Sequence, residues 1–278
     1  MSPWMAWYGQ PTRIDDLLFE ARHGLMNPDL DVARRGAEAE GCGFGLGWYE
    51  GADPQVYRGT SPPWDDERLH ELAEQVESHV FLAHVRDGAA TGEETDCHPF
   101  RHEQWLFVHS GSLGDFAAVR EELESAIDPS LLAGMQGSTD SELLFHLALT
   151  YGLEPDPVGA LQRAVGLVEK VAESRGLSHA VHASMGLSDG DSLWVVRYST
   201  RGSSRPLYAS GDVHAVQMLY PDRPRLQQLR EGDHIIASEP IGSLMGAWDP
   251  VPEGTIVTIA QGRREESMFR PDAGVEVG

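Results

Sequence analysis

VFLAHVR (80–86) and WLFVHSG (105–111) decide how this chain folds, because each is a short apolar run that ends on polar, chemically capable residues. The first closes on His84 and Arg86, and the second on His109, Ser110 and Gly111, where the Ser-Gly pair predicts a turn. Two β-strands ending in this way present chemistry at the rim of a sheet.

Outward from these strands the pattern alternates between sheet and helix. ERLHELAEQVESH (67–79) spaces Leu69, Leu72, Ala73 and Val76 at helical intervals and predicts a helix leading into the first strand. GFGLGWY (43–49) predicts a short buried strand whose glycines admit the close approach of another backbone. Phe116–Ile127 and Ser141–Tyr151 have helical periodicity, with Ser138 or Thr139 as the cap of the second and Glu142 close behind. Pro155 and Pro157 interrupt it, yet GALQRAVGLVEKVAESRG (159–176) resumes a helix at once, a break too short to divide domains. The remainder is rich in strands: HAVHASMGLSDG, DSLWVVRYST, RPLYASGDV, DHIIASEPI and GTIVTIA, separated by Asp-Gly, Gly-Asp and Pro turns. This order implies layers of sheet and helix in one domain, 1–278.

With 278 residues and 41% hydrophobic content, the chain is long enough to bury a substantial core. A formal charge of −23 disfavours nucleic acid and anionic membrane surfaces as partners, since both need clustered Lys and Arg. Lys170 stands alone among arginines, which reflects a bias of coding or an acidic, salt-tolerant surface and names no substrate. Cys42 and Cys97 are too few for a disulfide framework or a zinc site and read as reduced, buried thiols. No run approaches the roughly 18 apolar residues of a membrane span, and the start lacks a secretory pattern. The expectation is a cytoplasmic protein with no metal and no cofactor, leaving open a homodimer or a partner enzyme. Neither a Gly-x-Ser-x-Gly elbow nor a phosphate-cradling glycine loop is present: HSGSLG is a partial likeness to the first, and GCGFGLG fails the dinucleotide spacing.

AHVR (83–86), CHPF (97–100), HSGSL (109–113) and STDSE (138–142), together with MSPWMAWYG (1–9) and GCGFGLGWY (41–49), resemble the class II glutamine amidotransferases, in their small stand-alone branch. SEPIGSLMGAWDPVPEGT (238–255) resembles that family's closing region, so the likeness runs over nearly the whole length. It implies an α+β fold of the N-terminal nucleophile hydrolase type, four layers αββα with two stacked, mainly antiparallel sheets. It also implies an N-terminal cysteine that attacks the side-chain amide of glutamine, with its own α-amine as base.

The reactive positions depart from that pattern. Where the family reads Met-Cys-Arg this chain has Met1, Ser2 and Pro3, and where it reads His-Asn-Gly this chain has His109, Ser110 and Gly111. Ser2 thus matches the nucleophile, and Ser110 and Gly111 match the oxyanion hole. A hydroxyl depends on a base far more than a thiol does, and the base exists only once Met1 is removed. Loss of one oxyanion donor costs about 10²–10³ in rate. Cys42 and Asp87 are further departures near the pocket.

Arg86 and Asp140 match the family's clamp on an α-amino acid head group, guanidinium on carboxylate and carboxylate on ammonium. The competing reading pairs Arg86 with Asp87 or Asp96 and leaves Asp140 as a helix cap. His98 is a candidate substrate contact, although a structural role fits His84, His98 and His109 alike. The resemblance therefore implies a protein that binds an amino-acid-like small molecule of the glutamine or γ-glutamyl type, with glutaminase chemistry lost or repurposed. The alternative is an active amidohydrolase in which Ser2 cleaves a γ-glutamyl amide.

Overall fold

Both decisive strands lie inside sheets, and the computed structural model shows why. It describes residues 2–19, 25–26, 43–86, 93–219, 221, 224, 226–239, 247–272 and 274. Strand β4 (Glu77–Arg86) belongs to a seven-stranded sheet with β1 (Trp4–Arg13), β2 (Gly43–Glu50), β3 (Asp53–Gly59), β9 (Tyr208–Ser210), β10 (His234–Ala237) and β11 (Trp248–Pro250), in the order β11-β9-β10-β1-β4-β2-β3. Strand β6 (Trp105–Leu113) belongs to a six-stranded sheet with β5 (Phe100–His102), β7 (Val181–Ser188), β8 (Ser192–Ser199), β12 (Thr255–Ala260) and β13 (Arg263–Met268), in the order β13-β12-β8-β7-β6-β5. Neighbouring strands pair antiparallel throughout.

Side chains alternate across each strand, so each sheet has two apolar faces to bury. One face of each meets the other: Trp4, Ala6, Val80, Leu82, Leu106, Val108, Val195 and Val257 form the core between the sheets. The outer face of the seven-stranded sheet, with Met5, Trp7, Phe44 and Phe81, is covered by helix α1 (Asp15–Leu18), helix α2 (Glu67–Gln75) and Val216 of a later helix. The outer face of the six-stranded sheet, with Phe107, Met185 and Val196, is covered by α3 (Phe116–Ser125), α5 (Asp140–Thr150) and α6 (Pro157–Ser174), while α4 (Pro129–Leu132) is a single short turn. The last helix, α7, spans Val213–Leu219. The result is the expected αββα arrangement.

Three local expectations are corrected. The predicted helix over 67–79 stops at Gln75, because Glu77 and Ser78 are taken into β4 opposite Arg13 and Thr12, and the Ser78 hydroxyl bonds to the backbone oxygens of Tyr49 and Val80. Ser110-Gly111 is not a turn: β6 continues to Leu113, with Gly111 opposite Ala183. Glycine is needed there because a Cβ would lie 1.8 Å from the His182 carbonyl oxygen. Asp140 is the first residue of α5 and not its cap; the Thr139 side chain accepts from the Glu142 N–H.

The glycines of β2 do admit another backbone. A Cβ on Gly45 would lie 1.7 Å from the His98 carbonyl oxygen, and one on Gly47 would lie 2.8 Å from the Pro99 ring. The segment CHPF, whose His98–Pro99 peptide is cis, thereby crosses against β2 on the side that faces the second sheet. Among the described residues no helix is long and apolar enough to cross a membrane.

Candidate functional site

The start of β1 and the end of β4 lie side by side. Trp4 pairs with His84, and Val85 donates its N–H to the Pro3 carbonyl at 2.9 Å, which carries the pairing to Pro3, the residue after Ser2. Trp4 points between the sheets, and by alternation so do His84 and Arg86. Ser2 is half-buried.

The facing sheet brings Ser110 to the same level. It is buried, lies on the inter-sheet side with Leu106 and Val108, and stands opposite Ser184 on β7. The Trp4 indole N–H donates to the Ser184 hydroxyl at 2.7 Å, a direct bond between the strand that carries Ser2 and the strand paired with Ser110. Room for that indole comes from Gly186, where a Cβ would approach the Trp4 ring within 2.9 Å. Ser2, Ser110 and Gly111 thus belong to one end of the sandwich.

Arg86 is ion-paired with Asp96 through Nη1 at 3.8 Å, as the competing reading expects, but at a distance too long for a hydrogen bond, and that buried nitrogen has no hydrogen-bond partner among the described residues. The other oxygen of Asp96 accepts from the Ser138 N–H at 2.9 Å, and Glu142 accepts from the N–H groups of Gln136 and Gly137 at 2.8 and 2.7 Å. Two carboxylates therefore pin the turn that leads into α5. Asp140, two residues beyond Ser138, accepts the Leu113 N–H at 2.8 Å through Oδ2, and its Oδ1 accepts from the Ser141 hydroxyl at 3.3 Å. Ser141 in turn lies 2.8 Å from His109 Nδ1. Arg86 and Asp140 make no contact with each other; Asp96 and the 136–139 turn connect them.

His98 lies tilted against His84, ring centroids 4.3 Å apart, and meets Phe100 edge to face at 4.6 Å. Neither imidazole has a hydrogen-bond partner among the described residues. Burial, reinforced by neighbouring positive groups, pushes His84 down to about 3 and His98 well below its ordinary value, so both are neutral imidazoles. His109 is lowered by burial too, with Asp140 acting in the opposite direction. Among the described residues no cluster of three or more His, Cys, Asp or Glu is arranged to hold a metal. Cys97 is a buried free thiol raised by burial, the state of an inert side chain. Cys42 and Asp87 lie outside the described residues.

Sequence reasoning gave no role to Trp4 or Ser184, the pair that ties the two sheets together at the site. The only signal for Ser184 is a hydroxyl on an inward position of a strand, which by itself does not name a partner. Glu142 was visible as a helix-start acid, but its grip on the preceding turn depends on the folded loop.

Comparison with known proteins places this geometry in a family. Residues 30–274 match the family described as Glutamine amidotransferases class-II. The chain is 28% identical over 282 residues to the probable glutamine amidotransferase DUG3 of Saccharomyces cerevisiae, a match covering 90% of this chain and 79% of that protein. It is 28% identical over 179 residues to the gamma-glutamyl-hercynylcysteine sulfoxide hydrolase of Mycobacterium tuberculosis, covering 63% of this chain and 65% of that one. A solved glutamine aminotransferase class-II domain protein from Silicibacter pomeroyi superposes with a TM-score of 0.72 at 28% identity, covering 97% of this chain and 100% of that one. The glutamine phosphoribosylpyrophosphate amidotransferase of B. subtilis shares the fold, with a TM-score of 0.65 at 15% identity over 97% of this chain and 50% of that one. The chain belongs to the class II glutamine amidotransferases.

Proposed function

We propose that this protein binds a γ-glutamyl compound by its amino-acid head and does not run ordinary glutaminase chemistry. The observation that carries the reading is the buried Arg86 nitrogen without an acceptor among the described residues, beside the strand end that bears Ser2. A carboxylate is the acceptor a guanidinium fits best, in two places at once. Asp140 supplies the counterpart, a carboxylate fixed by the Leu113 N–H on the strand of Ser110 and suited to an ammonium. The kinship with a γ-glutamyl hydrolase supports the same ligand class. Ser2 and Ser110 in place of the family's cysteine and asparagine weaken both nucleophile and oxyanion hole.

A second reading, hydrolysis by Ser2, is favoured by the pairing of Pro3 with Val85, which brings the start of the chain to the end of β4 that bears Arg86. Once Met1 is removed, the α-amine, ordinarily near pKa 7.7–8.0 in free form, takes the hydroxyl proton as Ser2 Oγ attacks the γ-carbonyl. The C–N bond breaks, the amine leaves with that proton, and water hydrolyses the resulting ester to glutamate and Ser2.

Intact-mass measurement and calorimetric titration separate the readings. Binding of γ-glutamyl ethylamide that falls at least tenfold in Arg86→Ala is the expected result, and equal binding by both proteins sinks the clamp. Amine release by protein lacking Met1, abolished in Ser2→Ala, establishes the hydrolase; a retained Met1 removes it.

A further inference from the structure

Two residues beyond Ser110, at Ser112, lies a cavity of about 440 Å³, formed where β6 ends, β7 begins and β8 runs into the 200–205 turn. It is lined by Ser112, His179, His182, Ser199, Arg201 and Arg205 together with small or neutral neighbours, and by no carboxylate among the described residues. In a chain with 44 acidic and 21 basic residues, that composition is the reverse of the surface at large. Arg205 forms no ion pair or hydrogen bond among the described residues, and the Arg201 guanidinium spends its donors only on the Ser178 carbonyl and hydroxyl, at 3.3 and 2.7 Å. Glu253, which anchors this turn and does not line the cavity, accepts the Ser204 N–H at 2.9 Å and lies 3.6 Å from Arg197 through Oε2, while its buried Oε1 has no hydrogen-bond partner among the described residues.

The cavity lies one strand step from the site. Ser112 stands opposite His182 on the same face as Ser110 and Ser184, two residues further along each strand, a step of about 7 Å. Ser199 then stands opposite His182 on β8. Glutamine itself, whose leaving group is ammonia, has nothing that reaches this far or carries charge there. A γ-glutamyl compound with an acid on its amine portion does.

Resting on the γ-glutamyl reading above, we propose that this cavity receives a carboxylate or comparable oxyanion on the amine portion of the ligand, held by Arg201 and Arg205 with His179, His182 and the hydroxyls around them. Two guanidiniums without carboxylate partners among the described residues provide forked donors for such a group, and their field attracts it against the negative charge of the whole protein. The cavity thereby selects γ-glutamyl amides of acidic amines over glutamine and over neutral amides.

The test uses the full chain, titrated calorimetrically at low ionic strength with γ-glutamyl-glutamate, with γ-glutamyl ethylamide and with succinate. The acidic dipeptide should bind about tenfold or more tightly than the neutral amide, the scale of one charge-assisted hydrogen bond. In Arg201→Ala/Arg205→Ala that preference should vanish while the neutral amide binds unchanged. Arg205→Glu, at an exposed position that leaves folding intact, should reverse the preference. Equal binding of the two amides by the unaltered protein, or a preference that survives both variants, overturns the proposal. If neither amide binds, succinate decides: binding that is lost in the double variant keeps the anion cavity and refutes the γ-glutamyl reading, and no succinate binding refutes the cavity as well.

Discussion

Ser2 precedes the strand of one sheet and Ser110 lies on the facing sheet, and the Trp4–Ser184 bond ties the two sheets together there. A thiol at the first position and an amide at the second are therefore the changes with the most direct chemical consequence. Ser2→Cys with Ser110→Asn should raise ammonia release from glutamine by about 10²-fold or more, since each restores a group that such sites depend on. The rise should disappear when Arg86→Ala is added. An assay of ammonia across the three proteins checks this, and no gain at all would mean the rest of the pocket no longer fits glutamine. Trp4→Phe removes the indole donor from the buried Ser184 hydroxyl and leaves a void in the core between the sheets, and should lower stability by about 2 kcal/mol or more in denaturant unfolding. At this scale the sequence pointed to Arg86, Ser110 and Asp140 because each sits in a recognisable local string. Trp4 with Ser184, and Asp96 with Ser138, were not legible, because such partners meet only after distant strands are in register.

Strand β2 illustrates what an element records about its surroundings. Its alternating glycines announced the approach of another backbone, and CHPF fills that place. Gly45→Ala should therefore cost about 1–3 kcal/mol or more, because the Cβ meets a carbonyl oxygen that cannot rotate away. Chemical denaturation of the variant reads that loss directly, and a stability within a few tenths of the unaltered protein would contradict the packing. The apolar runs of β4, β6, β7, β8 and β12 were legible because central strands are buried on both faces. By contrast β3 and β13 left no clear trace. Each is an edge strand with one neighbour, and RREESM (263–268) is largely exposed, so it has no apolar alternation to display. The helix expected over 67–79 ends early for a related reason: helical spacing persists to Val76, but pairing with β1 and the bonds of Ser78 draw the next residues into a strand.

Over the whole molecule, three neutral imidazoles between and behind the sheets couple stability to acidity. His84, His98 and His109 are all lowered by burial, whereas in the unfolded chain each takes up a proton near pH 6.5. Stability is thus complete above that pH. It declines as pH falls below it, because the unfolded chain binds protons that the folded interior refuses until far lower values, about 3 for His84. Each histidine contributes at most about 1.4 kcal/mol per pH unit over this window. Melting temperatures between pH 7.5 and 5 should fall steeply, and His84→Phe, which keeps a ring beside His98, should flatten the slope; a profile level to pH 5 would contradict the burial of these rings. That sheets and helices are layered was readable from the long periodic segments, whereas the αββα order came from the family resemblance. Strand order was not, since nothing in MSPWMAWYG says that β1 lies in the middle of a seven-stranded sheet. That central position has a practical side. A handle left ahead of Ser2 would deny it a free α-amine, so the hydrolytic reading is to be tested on protein tagged at the other terminus.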